Sequence, residues 1–495
     1  MFDLFFEGKG LKVLWRCGIR KMVEIIKIND VTWKVEKQGK MLVPILIFAS
    51  EPLLEKMQED STLQQAQNMA SVPGVVKNVI VCPDAHQGYG ACIGGVSAYD
   101  FENGVVSPGQ VGYDINCGVR LVVTNLKKDD IEKKKQEIVD DLFRAIPSGV
   151  GKGSVYKITK DDLKEILKEG AEWAVKKGFG TKEDLEKTED GGRISFADPS
   201  AVSERALQRG FSQLGSLGSG NHFLEIQYVS RIFQRDTAKT FGLLEEGQAV
   251  VLLHCGSRGL GHQVASDYIK KMEDDYGWEH LPDRELVNAP ISSELGKKYL
   301  GAMGAAANFA FCNRQMILEW VRQSFVKIFG SHVKLEMVYD VTHNMAKIEE
   351  DVIDGKKIKL CVHRKGATRA LGPGRKELPE VYRDDGQPIF IPGSMGTSSY
   401  VLVGTKKAEE LTFSSTAHGA GRMMSRHAAI RTWRGEDVKR DLAKKNVYIK
   451  AGSWSGISEE APGAYKDVDE VVKVSDEAGI GKIVAQLRPM GVVKG

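Results

Sequence analysis

The chain has 495 residues, 42% of them hydrophobic and 27% charged, and its 69 basic and 66 acidic side chains leave a formal net charge of +3. This is the composition of a soluble globular protein, and its length allows one large core or several ordinary domains. Bulk charge gives no sign of nucleic-acid binding, so an anionic partner has to be read by a local patch.

In chain order, the opening stretch MFDLFFEGKGLKVLWRCGIRKM breaks its apolar residues with Asp3, Glu7, Lys9 and Lys12. It therefore lacks the uninterrupted apolar region of a signal peptide. Met22 offers a second start, which makes residues 1–21 an extension to which no role is assigned. The spacing predicts a helix over 129–146, with Ile131, Ile138, Val139 and Leu142 on one face. TKEDLEKTEDGGR (181–193) reads as a solvated surface loop, and a long helix is predicted over 299–329 with an alanine-rich middle suited to close packing. Four β-like runs finish at His254, His343, His363 and His418, which places four of the ten histidines at or just past strand ends. Sites are commonly assembled there, on loops held by a rigid scaffold. No apolar run reaches the 18 residues of a membrane span. The seven cysteines, Cys17, Cys82, Cys92, Cys117, Cys255, Cys312 and Cys361, contain no C-x-x-C pair. That argues against a disulfide framework and for a reducing, cytoplasmic setting.

The 53 glycines gather in short clusters between residues 88 and 422, separated by ordinary helix-like and strand-like segments. With no repeat, no low-complexity tract and no clear boundary, the expectation is one large mixed α/β (α+β) domain whose site draws on most of the chain. In VGYDINCGVR, Asp114 and Cys117 stand three residues apart, so a tight turn can aim both at one point. His222, His254 and His343 add imidazoles. One carboxylate, one thiolate and three imidazoles can hold divalent ions, with the sulfur able to bridge two and solvent or substrate oxygens completing each shell. Taken singly, Cys117 reads equally as a small core residue, and each histidine as a hydrogen-bonded structural one. Ligand softness favours zinc.

GSRGLGH (256–262) and HRKGATRALGPGR (363–375) join Gly-rich turns to Arg258, Arg364, Lys365, Arg369 and Arg375. Such stretches suit phosphate recognition, although a solvated basic loop explains the second equally. A Walker G-x-x-x-x-G-K-[ST] and a G-x-S-x-G elbow are both missing. In STAHGAGR (415–422), His418 has only small neighbours, no carboxylate within several residues, and Arg422 four positions on. A nucleophilic imidazole must be neutral, a form that a nearby cation favours, and Gly419, Ala420 and Gly421 leave clearance for a phosphorus centre. His418 suits covalent phosphorus chemistry better than metal binding.

Eight stretches in order, PDAHQGYG (83–90), GYDINCGVR (112–120), LGSGNHFLE (217–225), HCGSRGLGHQ (254–263), YDVTHN (339–344), HRKGATRA (363–370), IPGSMGTSSY (391–400) and HGAGR (418–422), resemble the tRNA-splicing ligase RtcB family. The resemblance runs from about residue 22 to the C-terminal VVKG, so it covers residues 22–495. It implies one catalytic domain with central sheets flanked by helices around a deep metal and nucleotide cleft. The activity it implies is a GTP- and Mn2+-dependent RNA ligase joining a 3′-phosphate or 2′,3′-cyclic phosphate end to a 5′-hydroxyl end. His418 would carry GMP as a phosphoramidate, with Asp84 as an acid or orienting group and Arg422 beside it. Asp114, Cys117, His222, His254 and His343 match the family's ligands for two manganese ions, which overrules the zinc preference. The guanylate pocket would comprise Asn221, His222, Phe223, Leu224, Glu225, His343, Asn344, Pro392, Gly393, Ser394, Met395, Ser399, His418, Gly419, Ala420, Gly421 and Lys494. Glu225 offers two acceptors for the guanine N1–H and exocyclic amine, and Asn344 and Ser399 can hold ribose or phosphate oxygens.

This chain departs from the family pattern at Ala417, where cysteine is common, and at Ala85, where glycine is frequent. RNA, GTP and the activator archease are the implied partners, and a monomer is expected. Two rival readings use the same residues. One is a dinuclear phosphodiesterase or phosphatase acting on RNA ends, and the other a non-catalytic RNA-binding protein with a structural metal.

Overall fold

The computed structural model describes residues 4–6, 11–17, 21–149, 151, 153–353 and 355–495, with side chains from Val23 onward. Of the 1–21 extension it describes Leu4–Phe6 and Leu11–Cys17, two paired antiparallel strands. The remaining expectations for that segment lie outside the described residues. Helices surround two large sheets, so the architecture is mixed α/β as expected. No helix among the described residues is long and apolar enough to cross a membrane.

The first sheet runs, in spatial order, through Leu4–Phe6, Leu11–Cys17, Lys21–Asn29, Thr32–Val35, Ile45–Phe48, Val79–His86, Ile93–Asp100, Lys356–Lys365 and Asn344–Ile353. The second runs through Leu335–Thr342, Gly118–Lys127, Gln248–Cys255, Phe223–Ile232, Lys482–Lys494, Ser399–Val403 and Pro388–Ile391. Its register decides where the site falls. Gly118 pairs with Cys255 and Thr342, while Phe223 pairs with both His254 and Lys494. Cys117, His222, His254, His343 and Lys494 are therefore brought to one end of the sheet, although they come from five separate parts of the chain. His343 is the single residue between the last strand position of one sheet, Thr342, and the first of the other, Asn344.

The predicted helices form with shifted ends. The first spans Lys128–Ala145 and buries Ile131, Ile138, Val139 and Leu142. The second spans Glu294–Phe329, starting earlier than its apolar pattern because Ser293 Oγ caps it by accepting from Gly296 N at 3.0 Å. Buried polar residues in its middle reach the site. Arg314 donates to Asn116 O at 2.7 Å and Cys255 O at 3.0 Å, and forms with Arg120 a fully buried ion triad on Asp340. A buried charge needs such pairing, and here the pairing also fixes the turns that carry the candidate metal ligands.

Three local expectations are corrected. The 181–193 segment is not a solvated loop: it forms Lys182–Glu186 and a 3-10 turn at Glu189–Gly192, with Asp184 and Glu189 buried. Asp184 pairs with Arg322, and Glu189 with Lys347 and Arg369. His363 lies inside Lys356–Lys365 rather than past its end, and His254 is the penultimate residue of Gln248–Cys255. Arg364 and Arg369 do not face a phosphate. Both are buried, Arg364 on Glu349 and Arg369 on Glu189 and Asp190. Arg258 is buried too, donating to Gly149 O at 3.1 Å and Ser216 Oγ at 3.3 Å, and Arg375 pairs with Glu377. Six cysteines, from Cys82 to Cys361, are buried free thiols.

Candidate active site

The DINC turn is closed by Cys117 N donating to Asp114 O at 3.0 Å, with Asn116 in the left-handed region at φ +56°. Asn116 Nδ2 donates to Ala307 O of the long helix, so both ligand side chains are aimed by the core. Gly256 is required beside them, since a Cβ there would lie 2.4 Å from Asp114 Oδ1. Ser257 N donates to that same oxygen at 3.0 Å.

Two groups of donor atoms result. Cys117, His254 and His343 form one, and Asp114, Cys117 and His222 the other, with ligand atoms of each group within 4.8 Å of one another. Cys117 Sγ lies 3.3 Å from His222 Nε2 and 3.1 Å from His254 Nε2, which is 3.2 Å from His343 Nε2. His222 Nε2 is 2.7 Å from Asp114 Oδ2. Asn221 O lies 3.0 Å from His254 Nδ1, and accepting that N–H directs the Nε2 lone pair at the group. Burial, with the neighbouring imidazoles adding to it, holds His254 and His343 well below the usual histidine range, so both are neutral donors. Burial works against charge on Asp114 and His222, yet the His222 imidazole holds Asp114 low, while Cys255 and Cys117, and after them Asp114, hold His222 high. Burial pushes the Cys117 thiol up to about 12. The donor set fits two divalent transition ions sharing one sulfur.

His418 follows the short strand Ser415–Ala417, which pairs with Ala367–Arg369. Its partner is a carboxylate that lies 334 residues away in sequence. Asp84 Oδ2 accepts from His418 Nδ1 at 2.5 Å and from the backbone N–H groups of His418 at 3.0 Å and Gly419 at 3.3 Å. With Nδ1–H committed, the lone pair is on Nε2. Arg422 does not attend the imidazole as expected; it donates to Glu460, to the Tyr465 hydroxyl and to Glu459 O. Gly421 likewise clears room for protein rather than ligand, since at φ +77° a Cβ there would lie 2.1 Å from Asp84 O. Ala417 is fully buried behind the histidine.

A cleft of about 280 Å³ joins these groups. Asp114, Asn221, Phe223, Glu225, His254, His343, Asn344, the Pro392–Met395 loop, His418 to Arg422 and Lys494 all line it. Leu224 does not. Alternation along Phe223–Ile232 turns it to the opposite face, where it packs in the core with Ile226 and Val251. Asn344 is already engaged, its Nδ2 donating to Asp114 O and its Oδ1 accepting from Gly366 N. Ser399 Oγ accepts from Gly393 N at 3.2 Å and from Gln227 Nε2 at 3.1 Å. Gln227 also donates to Glu225 Oε2 at 2.6 Å. Sequence reasoning missed it, although its i+2 spacing from Glu225 on a strand puts both on one face. Glu460, which faces Lys494 Nζ at 3.6 Å, and Lys466, which donates to Ala85 O at 2.5 Å, were also missed and carry no sequence signal.

The sequence model of the family described as tRNA-splicing ligase RtcB matches residues 65–495. Proteins named tRNA-splicing ligase RtcB are similar to this chain along its length. That of Thermococcus kodakarensis is 54% identical over 486 residues, covering 96% of this chain and 100% of the relative. That of Nanoarchaeum equitans is 52% identical over 476 residues, with 96% and 100% covered. The chain belongs to the RtcB family. The Pyrobaculum aerophilum RtcB, 52% identical over 481 residues, covers 96% of this chain and is itself covered to 99%. The RtcB match includes every residue discussed in this section, from Asp84 to Lys494.

Proposed function

We propose that this chain is an RNA ligase of tRNA splicing or RNA repair that joins 3′-phosphate or 2′,3′-cyclic phosphate ends to 5′-hydroxyl ends, using GTP and two manganese ions. The observation that carries this reading is His418, its Nδ1 held by the buried Asp84, in a cleft shared with two groups of metal donors. His418 Nε2 attacks the α-phosphorus of GTP; an N–P bond forms and pyrophosphate leaves. A 2′,3′-cyclic end first takes up water, its P–O2′ bond breaking to leave a 2′-hydroxyl and a 3′-phosphate; an oxygen of the RNA 3′-phosphate then takes the guanylyl group, the N–P bond breaks and the imidazole is restored. The 5′-hydroxyl attacks the activated 3′-phosphate, loses its proton to solvent, and displaces GMP as the 3′,5′-phosphodiester forms. Asp114, Cys117, His222, His254 and His343 would hold the ions, whose positive charge offsets that of the phosphates. The donor set alone favours zinc, and manganese is taken from the family resemblance. A dinuclear hydrolase needs no carboxylate-held imidazole, so the Asp84–His418 pair favours the ligase.

The test is incubation of 3′-phosphate and 5′-hydroxyl oligoribonucleotides with GTP and Mn2+. Joined strands with one GMP released per join support the reading, whereas phosphate loss or ring opening without joining hands the site to the hydrolase. Asp84→Asn removes the charge that orients His418 and is expected to slow GMP transfer about 100-fold or more. An unchanged single-turnover rate would exclude that role for Asp84.

Glu225 supplies a pH dependence. Burial pushes its carboxyl up to about 7, with Gln227 and Lys494 pulling the other way. Only the ionised carboxylate accepts from both guanine N–H groups, so GTP binding is full above pH 7 and weakens as pH falls through it. Measured by calorimetry, Kd should rise about tenfold per unit below that point. Glu225→Gln should bind weakly with a flat profile; an equally flat wild-type profile would exclude carboxylate recognition.

A further inference from the structure

Among the rings that line the cleft and take no part in the chemistry above are Tyr89, Tyr113 and His262. They form a continuous series. Tyr113 stacks on His262 with centroids 5.7 Å apart at 26°, and Tyr89 meets Tyr113 edge-on at 6.3 Å and 87°. Tyr89 is 71% exposed, an open aromatic face at the edge of the cleft. Its position is nevertheless fixed from behind. Tyr89 O accepts from Lys365 Nζ at 2.5 Å and from Ala91 N at 2.8 Å, while the Tyr113 hydroxyl donates to Glu285 Oε2 at 2.9 Å. Arg426, 52% exposed, lines the same cleft.

A solvent-facing ring on a pinned backbone, with a cation in the same cleft, is what unpaired nucleic acid requires. Every base has a π-face, and base–aromatic stacking beside phosphate-binding cations gives sequence-tolerant affinity for single strands. The guanine of GTP is already served by Glu225, so the shelf is free for a different base. We propose that Tyr89, backed by Tyr113 and His262, is a stacking shelf for an unpaired nucleobase of the RNA next to the reacting end. This rests on the ligase reading. It also explains how a chain with almost no net charge positions RNA ends of differing sequence.

The test uses the full chain with Mn2+ and oligoribonucleotides carrying 2-aminopurine at the terminal nucleotide of either the 3′-phosphate strand or the 5′-hydroxyl strand. One of the two probes is expected to be quenched on binding, and which one responds identifies the strand whose base occupies the shelf. Tyr89→Phe keeps the quench, whereas Tyr89→Ala loses it and raises Kd about tenfold. An abasic residue at the same position should cost the wild-type chain the same factor and cost Tyr89→Ala nothing further. Quenching of neither probe, or identical binding and quenching by Tyr89→Ala, overturns the shelf. Transfer of labelled GMP to the wild-type chain, run in parallel, reports on the ligase reading separately. An adduct with neither probe quenched removes the shelf alone, and a chain that neither forms the adduct nor binds RNA removes both.

Discussion

Replacing His418 with alanine should abolish transfer of GMP from α-labelled GTP to the protein, a loss of about 10⁴-fold or more, as for removal of a covalent nucleophile. The adduct in the wild-type chain should map to the peptide bearing His418 and show the acid lability and base stability of a phosphoramidate. The substitution leaves the core intact, because the side chain lines a cleft and Asp84 Oδ2 keeps its two backbone donors. Among the described residues one competing nucleophile is His86. It lines the same cleft, and burial lowers its pKa to about 4, which keeps it neutral. His86→Ala is therefore the control, and it should retain the adduct. An adduct that survives in His418→Ala and disappears in His86→Ala would move the nucleophile to His86.

Cys117→Ser should have the second-largest effect, on metal content rather than on the adduct alone. Cys117 Sγ belongs to both donor groups, whereas every other candidate ligand belongs to one. A hydroxyl of similar size keeps the packing but is a far weaker donor than a thiolate. Elemental analysis after dialysis should find about two ions per wild-type chain and well under one in Cys117→Ser. His343→Ala should lose the ion of its own group and keep the other. Two ions retained by Cys117→Ser would mean that the sulfur is not shared, and the two groups would then be independent sites.

Much of the candidate site was legible because it is written in local pieces. The DINC turn, the histidines near strand ends and the small residues around His418 are each visible within about ten residues of sequence. Strand alternation was legible as well: applied to Phe223–Ile232, it rejects Leu224 and nominates Gln227. What failed were inferences that assumed a residue's partners lie near it in the chain. Arg422 was paired with His418 because it is four positions away, yet its guanidinium goes to Glu460 and Tyr465. For Arg364 and Arg369 the Gly-rich basic stretch suits a phosphate-facing and a solvated reading equally, yet both are buried against Glu349, Glu189 and Asp190. Asp184 and Glu189 anchor the otherwise largely exposed 181–193 stretch to Arg322, Lys347 and Arg369, which fixes it as ordered structure.

By itself the sequence determined the element types, the inventory of donor groups and the family, since periodicity and motif are properties of neighbouring residues. Tertiary structure alone decided who meets whom. The register of the second sheet gathers Cys117, His222, His254, His343 and Lys494 at one end, and the fold delivers Asp84 to His418 across 334 positions. Those encounters set protonation, orientation and metal sharing. They depend on distances of a few ångströms in space, which separation along the chain does not encode.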